Sequence, residues 1–559
     1  MMKINFQNTV SVFTLLSIIA GCKKNENMPP PPPAAISLSA AKLNTVAAST
    51  SSVNYDVNKN ATIRLYFNNA VDKASVVSSV TVKEAGLSDV ALVYTYEKSD
   101  SVIVLSSPAA YKPFTKYIVN ASKSLRSSKG RALSSSVSIT FVTSIDSANK
   151  FAVVDDSVLL DKVQQQTFKY FWDYGHPVSG LARERSNSGE NIVTSGGSGF
   201  GIMCIPVAVK RNFISKADGL LRMQKIVGFL KNTADKFHGA FPHWLDGATG
   251  TVIPFSTKDN GADLVETSYL MAGLLTARQY FNGAGADETT LRGDISALYN
   301  NVEWDWFRNG GQNVLYWHWS PNYNWEMNLP IRGWNECLVT YILAASSTTH
   351  GIPVSVYING WASGSNFTNG ASYLGYQLPL GTPYGGPLFF SHYTFLGISP
   401  VGLQDVYANY EKQTKNHTLI NYTYCVNNPK RWYGYSDKVW GLTASDIQNG
   451  YDASSPTNDI GYIAPTAALS SFPYTPTESM KALKFFYYTL GDKIWKEYGF
   501  VDAFSLKELW FANSFLAIDQ GPIVIMIENY RSRMVWDLFT SCPEVKNGMR
   551  SLGFTAPYL

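Results

Sequence analysis

The stretch KDNGADLVETSYLMAGLL, residues 258–275, reads as the start of a buried helix that carries three carboxylates. On a helix of about 3.6 residues per turn, Asp259, Asp263 and Glu266 stand at i, i+4 and i+7 and fall within an arc of about 60°. Leu264, Met271, Leu274 and Leu275 form an apolar stripe beside that arc. Carboxylates at the margin of a buried face repel one another and resist desolvation, and acid–base chemistry is one reason to keep them there. The other reason is local: a helix dipole favours acidic residues in the first turn, and Asp259 can serve as an N-cap. The stretch by itself leaves both open.

Outward from this stretch the helical texture continues. Leu159, Leu160, Val163, Phe168, Phe171 and Trp172 keep a helical period. Further helices are expected at 201–210, 216–237, 262–281, 290–308, 334–346, 400–410, 479–490, 505–518 and 522–539, with short ones near Tyr393 and Ala464. Convincing strands are few, and the connections are long and rich in Gly, Asn and Trp. Paired helices of this kind over residues 147–559 imply an all-α domain, an α/α toroid whose long loops gather at one end.

Those loops hold the candidate chemistry. Arg183-Glu184-Arg185 precedes TSGGSGFG (194–201), which has neither the P-loop spacing nor a leading strand for a dinucleotide fingerprint. Its glycines let backbone pass close to a ligand or to another helix. His243 and Trp244 sit in FPHW (241–244), and Trp304, Trp306, Trp317, His318, Trp319, Tyr323 and Trp325 make a dense aromatic run. Arg332-Gly-Trp-Asn-Glu336 then opens an apolar helix, so Glu336 is either a first-turn carboxylate favoured by the dipole or a desolvated general acid among Trp and Arg side chains. Near the end come GFVDAF (499–504), IDQGP (518–522) and MIENYR (526–531). Asp519 is a cap or a catalytic carboxylate ahead of the last helix, and Glu528 and Arg531, at i and i+3, can pair with each other.

The first part of the chain differs. Residues 36–146 alternate in short runs separated by Ser, Asn, Asp and Gly turns, and contain no Trp; all 14 Trp of the chain lie beyond them. The order IRLYFNNAVDKAS, DSVIVL, PFTKYIVNAS, ITFVTS resembles a bacterial Ig-like domain, which implies a small β-sandwich serving as spacer or docking module. Ahead of it, Lys3 and the apolar run 10–20 end at IAGC (19–22), the pattern of a lipoprotein signal peptide (1–21) with Cys22 as the lipidated residue. Prolines 29–33 in the segment 22–35 form a semi-rigid tether. The expectation is a chain lipid-anchored in the cell envelope, at the outer membrane and facing either the periplasm or the surface. The net charge of +4 on 559 residues gives no nucleic-acid footprint. Cys204, Cys337, Cys425 and Cys542 lack metal-ligand spacing, so buried thiols and no zinc site are expected.

Taken in order, GGSGFG, DNGADLVETSYL, RGWNE and GFVDAF…IDQGP…MIENYR resemble the glucoamylase-like ("glycoamylase") domain family, and within it the bacterial endo-β-1,2-glucanases. The resemblance spans nearly all of residues 155–559. It implies an (α/α)6 barrel, a metal-independent glycoside hydrolase, β-1,2-glucan as substrate, and inversion at the anomeric centre; a monomer without a cofactor is expected. The family's acidic positions fall on Asp259, Asp263, Glu266 and Glu336. Hydrolysis with inversion uses two carboxyl groups about 6.5–9.5 Å apart, one donating a proton and one activating water. Glu336 is the expected acid, with Asp259, Asp263, Glu266 or Asp519 on the water side. Trp244, Trp317, Trp325 and Trp334 are expected sugar platforms, and Arg183, His243, His318, Arg332 and Arg531 are expected hydroxyl ligands. The competing readings are a glycan-binding lipoprotein without turnover and a polysaccharide lyase on an α/α toroid.

Overall fold

The structure, a computed structural model, describes residues 35–87 and 89–559. The signal segment, Cys22 and the proline run lie outside the described residues. The described chain forms two compact units, one ending at Ser144 and the other spanning Ile145–Leu559.

The first unit is a sandwich of two sheets. One has the order β2-β1-β4-β7-β6, built from β1 (Leu38–Leu43), β2 (Val46–Ala47), β4 (Ile63–Phe67), β6 (Val93–Glu97) and β7 (Val102–Ser106). The other has the order β3-β9-β8-β5, built from β3 (Asn54–Val57), β5 (Val80–Glu84), β8 (Lys116–Ala121) and β9 (Val137–Thr143). Strand alternation sets the core. Ile63, Leu65 and Phe67 point inward from β4 and meet Tyr117, Val119, Ile139 and Phe141 from the second sheet. A short helix, α1 (Lys73–Ser79), is capped by the Asp72 side chain and joins the two sheets.

The second unit is helical. Its principal helices are α2 (Asp156–Trp172), α3 (Ser195–Lys210), α4 (Lys216–Asn232), α5 (Leu264–Tyr280), α6 (Ala286–Asn300), α7 (Leu338–Ser346), α8 (Tyr410–Asn427), α9 (Pro476–Lys484), α10 (Ala517–Ser532), α11 (Met534–Thr540) and α12 (Pro543–Ser551). Helix α5 is the centre: every residue from Leu264 to Ala277 is buried, and α3 and α7 pack against it. The four cysteines among the described residues are buried and free.

The Gly-rich stretch is not a loop before α3 but its first turns. A Cβ on Gly199 would run into the backbone of Tyr269 and Leu270, and one on Gly273 would run into Gly199, so α3 and α5 cross backbone to backbone. Helix formation is entropically costly for glycine; here close packing against α5 offsets that cost.

Four expected helices are placed differently. Residues 400–410 form turns in which Asp405 accepts from the N–H groups of Tyr407 and Ala408, and the helix begins only at Tyr410. Residues 505–518 form a hairpin, Phe504–Ser505 against Trp510–Phe511, turned at Leu509 with φ of 53°. The final helix starts earlier, so Asp519 lies in the first turn of α10 and Pro522 inside it, and the helix breaks at Arg533, with φ of 63°. Of the three carboxylates in the opening stretch only Glu266 is helical: Asp263 is the N-cap of α5 and Asp259 sits in the turn before it. The i, i+4, i+7 geometry therefore does not exist, although the three carboxylates still meet.

Helix α8 escaped detection because its buried face is polar. Gln413 bonds Leu380 through both its amide groups, Asn421 does the same to Leu442, and His417 contacts Gly386 and Ser391. A buried face satisfied by side-chain-to-backbone bonds carries no hydrophobic period.

Candidate active site

The N-terminal ends of α3, α5 and α10, and the loop just ahead of α7, converge on a shared acidic centre. Short pairings bring distant segments to α5. Asp263 pairs with His318 across a two-residue ladder, Ala262–Asp263 against His318–Trp319. The Ile192–Thr194 strand pairs with Trp244–Asp246, which sets His243 beside the start of α3. Residues 184–186 run alongside 515–517, where the Ala517 N–H donates to the Glu184 carbonyl at 3.0 Å.

Asp263 is the most constrained carboxylate. Its Oδ1 accepts from the N–H groups of Val265 and Glu266 at 3.0 and 2.9 Å, and its Oδ2 lies 3.1 Å from His243 Nδ1 and 3.6 Å from His318 Nε2. Burial pushes its carboxyl up, but the hydrogen bond from His243 and the nearby histidines outweigh that and hold it below the usual range. Asp259 Oδ2 faces His318 Nε2 at 3.3 Å. Burial, then the Asp263 charge, raises Asp259 to about 7. Glu266 accepts from the Gly196 N–H at 2.7 Å and from the Thr194 hydroxyl at 3.3 Å. Gly196 has no room for a Cβ, which would meet the Glu266 carboxylate, so that glycine serves both packing and the site. His243 is lowered by burial but raised more by Glu266, Asp263 and Asp259, to about 9, and is a cation at neutral pH. Phe255 packs over its ring at 4.3 Å. The donor atoms of His243, Asp259 and Asp263 lie within 4.8 Å of one another, a spacing a metal ion could use. The close His243–Asp263 and His318–Asp259 distances are those of histidine–carboxylate pairs.

Glu336 lies two residues ahead of α7, not in its first turn. Its backbone carbonyl accepts from Thr394 Oγ1 at 2.7 Å, which fixes the loop. Burial, reinforced by the Glu266 and Asp263 charges, raises its carboxyl to about 7. Trp334 is not a platform: it is buried against Trp361, Phe395 and Tyr410 and forms the floor under the Glu336 loop.

A second acidic group stands at the start of α10. Asp446 pairs with Arg185 Nη1 at 3.0 Å and accepts from Ser514, and its N–H donates to Asp502 at 2.6 Å. Burial and the Asp446 charge raise Asp502 to about 7, and burial and the Asp502 carboxylate raise Asp519. The charges of both groups act on Tyr393: its hydroxyl is raised first by burial and then by Asp519, Tyr451, Glu336 and Glu266. Tyr451 stands opposite Asp446 in the hairpin Ala444–Ile447/Gly450–Ala453, with its ring half open to solvent.

Of the expected sugar contacts, His243, Trp244, Trp317 and His318 lie on the segments that flank Asp263, and Trp325 packs with Trp306 on the adjoining loop. Arg332 is exposed on the Glu336 loop. Two do not join. Arg183 donates to the Glu190 and Tyr174 carbonyls and stacks on Tyr174. Arg531, about 18 Å along α10 from Asp519, pairs with Asp161 at 2.6 Å and Gln164 at 2.8 Å. Glu528 pairs with Arg211 at 2.7 Å rather than with Arg531. The sequence marks Arg185 only as part of the Arg183-Glu184-Arg185 run, and gives no role to Tyr393, Asp446, Tyr451 or Asp502. Asp502 was visible in GFVDAF, whereas the others carried no local signal.

A family model described as "Putative glucoamylase" matches residues 328–543, and a bacterial Ig-like domain model matches 39–143. The chain is 52% identical to an endo-β-1,2-glucanase from Chitinophaga pinensis solved with sophorotriose and glucose, covering 73% of this chain and 100% of that one with a TM-score of 0.71. A β-1,2-glucanase from Parabacteroides distasonis is 36% identical, with 93% of this chain and 73% of that one covered and a TM-score of 0.71. An exo β-1,2-glucooligosaccharide sophorohydrolase (non-reducing end), also from Parabacteroides distasonis, is 44% identical over 427 residues, 73% of this chain. The match spans 59% of that relative's length. With its acidic centre built on the helical unit these relatives share, the chain belongs to the glucoamylase-like glycoamylase family, preceded by a bacterial Ig-like domain.

Proposed function

We propose that the helical unit is an (α/α)6-barrel glycoside hydrolase that cleaves β-1,2-glucan to short oligosaccharides with inversion. The observation that carries this reading is Glu336, a carboxyl raised to about 7 beside carboxylates that are paired and hydrogen-bonded. Two environments that push carboxyl groups apart in acidity supply an acid and a base in one cleft. Glu336 protonates the leaving glycosidic oxygen. The carboxylate that takes the proton of the attacking water is Asp263, which His243 holds ionised, or Asp519, whose buried Oδ2 has no donor among the described residues. The Glu266 and Asp263 charges keep Glu336 protonated, and Asp263 and Asp259 orient His243 and His318 toward sugar hydroxyls. The relatives' activities, on β-1,2-glucan and its oligosaccharides, support the substrate.

Incubation with β-1,2-glucan tests this: new reducing ends, with the opposite anomer appearing first by NMR, are expected. Binding without new reducing ends, or an unsaturated ultraviolet-absorbing product, refutes hydrolysis. We also propose that the protein acts as a monomer, held in the cell envelope by lipid on Cys22. A Cys22→Ser chain that still fractionates with membranes would overturn the anchor.

A further inference from the structure

The histidines and carboxylates around Asp263 are spaced for more than hydrogen-bonded pairs. Asp263 Oδ2 lies 3.1 Å from His243 Nδ1 and 3.6 Å from His318 Nε2, and His318 Nε2 lies 3.3 Å from Asp259 Oδ2. The ligand atoms of a tetrahedral ion with bonds of about 2.0–2.1 Å stand about 3.4 Å apart. Three edges of such a tetrahedron are therefore already in place. His243, Asp259 and Asp263 are also the one group of three among the described residues whose ligand atoms all fall within 4.8 Å of one another. An independent observation points to a ligand here. Asp259 is 4% exposed, and its Oδ1 is buried with no hydrogen-bond partner among the described residues. The charges of Asp259, Asp263 and Glu266 all bear on this spot, and a divalent cation relieves their mutual repulsion. Glu266 itself is engaged by the Gly196 N–H and the Thr194 hydroxyl, which leaves it outside the ligand set.

The set offers two imidazole nitrogens and two carboxylate oxygens. That mixture suits Zn²⁺, whereas Mg²⁺ and Ca²⁺ take oxygen ligands. We propose that His243, His318, Asp259 and Asp263 form an inhibitory site for a divalent transition ion, Zn²⁺ in particular, which closes the cleft to sugar. The ion takes the place of the proton between His243 and Asp263, and each proton displaced leaves to solvent. It then occupies the imidazoles offered to sugar hydroxyls and an Asp263 oxygen, so ion and substrate exclude each other. The inhibition rests on the hydrolase reading above; the binding does not. The ion is exchangeable rather than resident. His318 Nδ1 is buried without a partner, so no hydrogen bond orients that ring from behind, and such a lack weakens metal binding by about 10–100-fold. Entry is from the side of His243, whose side chain is 25% exposed while that of Asp263 is closed.

The test titrates Zn²⁺ into the full chain, freed of metal with EDTA, by calorimetry. One ion per chain is expected for Zn²⁺ and none for Mg²⁺. His318→Ala and Asp259→Asn, with folding established by thermal melts, should each weaken Zn²⁺ binding by at least about tenfold. The double change His238→Ala with His350→Ala removes two more exposed histidine–carboxylate pairs and should leave the affinity as in wild type. Co²⁺ in the wild-type chain should give the intense visible bands of a tetrahedral ion, a readout that stands even where both site variants unfold. On β-1,2-glucan, Zn²⁺ should lower initial rates, more glucan should relieve the loss, and excess EDTA should restore the rate. No binding at millimolar Zn²⁺, an affinity unchanged in both site variants, an affinity lost in the His238/His350 double variant, or weak octahedral Co²⁺ bands would each overturn the site. Binding that leaves the rate unchanged overturns the inhibition. A metal-free wild-type protein that releases no reducing ends sinks the hydrolase reading, while calorimetry and the Co²⁺ spectrum still decide the site.

Discussion

Replacing Glu336 by Gln separates its proton from its shape. The carboxamide keeps size and hydrogen bonding but cannot deliver an acidic proton, so turnover should fall by about 10²–10⁴-fold, the usual worth of a positioned general acid. Stability provides an independent check with a defined sign. Below pH 4.5 the carboxyl is protonated in both folded and unfolded chains and costs nothing. As pH rises from 4.5 to about 7, the unfolded chain releases this proton while the native state keeps it, so wild-type stability falls through that window and levels off above it. At about 1.4 kcal/mol per pH unit the full effect is about 3 kcal/mol. Glu336 keeps some contact with the cleft, and screening there reduces this to about 1–3 kcal/mol. The Gln variant carries none of it. Its melting temperature should equal that of wild type near pH 4.5 and exceed it by a few degrees at about pH 8, the other carboxyls being common to both. Calorimetry across pH, alongside initial rates, makes the comparison. A variant with kcat within tenfold of wild type, or a melting difference that does not change with pH, would refute the assignment.

Four further outcomes follow from the same geometry. Gly199→Ala should destabilise by about 3 kcal/mol or more, or fail to fold, because the added methyl meets the α5 backbone at Tyr269 and Leu270 rather than a movable side chain; chemical denaturation reads this. Asp263→Ala should cost about 3–5 kcal/mol by stranding His243 and uncapping α5, whereas Asp263→Asn keeps the cap and loses less. The His243 imidazole should titrate near 9 by NMR and move down in Asp263→Asn; its raised value adds stability that is complete below pH 6.5 and lost as pH rises through 9. Arg531→Ala should leave kcat/KM within about twofold of wild type and cost about 1 kcal/mol, measured by steady-state kinetics and melting, since Arg531 braces α2 rather than the cleft.

The sequence by itself determined the elements whose signals are local. Strand alternation marked the Ig-like unit, and helical period marked α2 and α5, because a side chain's face follows from its position one turn or one pleat away. The acidic residues at 259, 263, 266, 336 and 519 were legible for the same reason, as carboxylates beside apolar runs. Their arrangement was not. Asp259, Asp263 and Glu266 meet through a turn, an N-cap and a helix rather than along one helical face. The second acidic group joins Arg185, Asp446, Asp502 and Asp519, residues brought together only by the strand-like run of 184–186 beside 515–517 and by a hairpin. Arg183 and Arg185 alternate in one tripeptide, yet one braces a loop and the other neutralises the acidic group. Helix α8 was hidden because its buried face is satisfied by hydrogen bonds rather than by apolar contact. Tertiary packing decided these points because desolvation and charge proximity depend on which distant segments close over a residue, and the spacing of neighbours along the chain does not encode that.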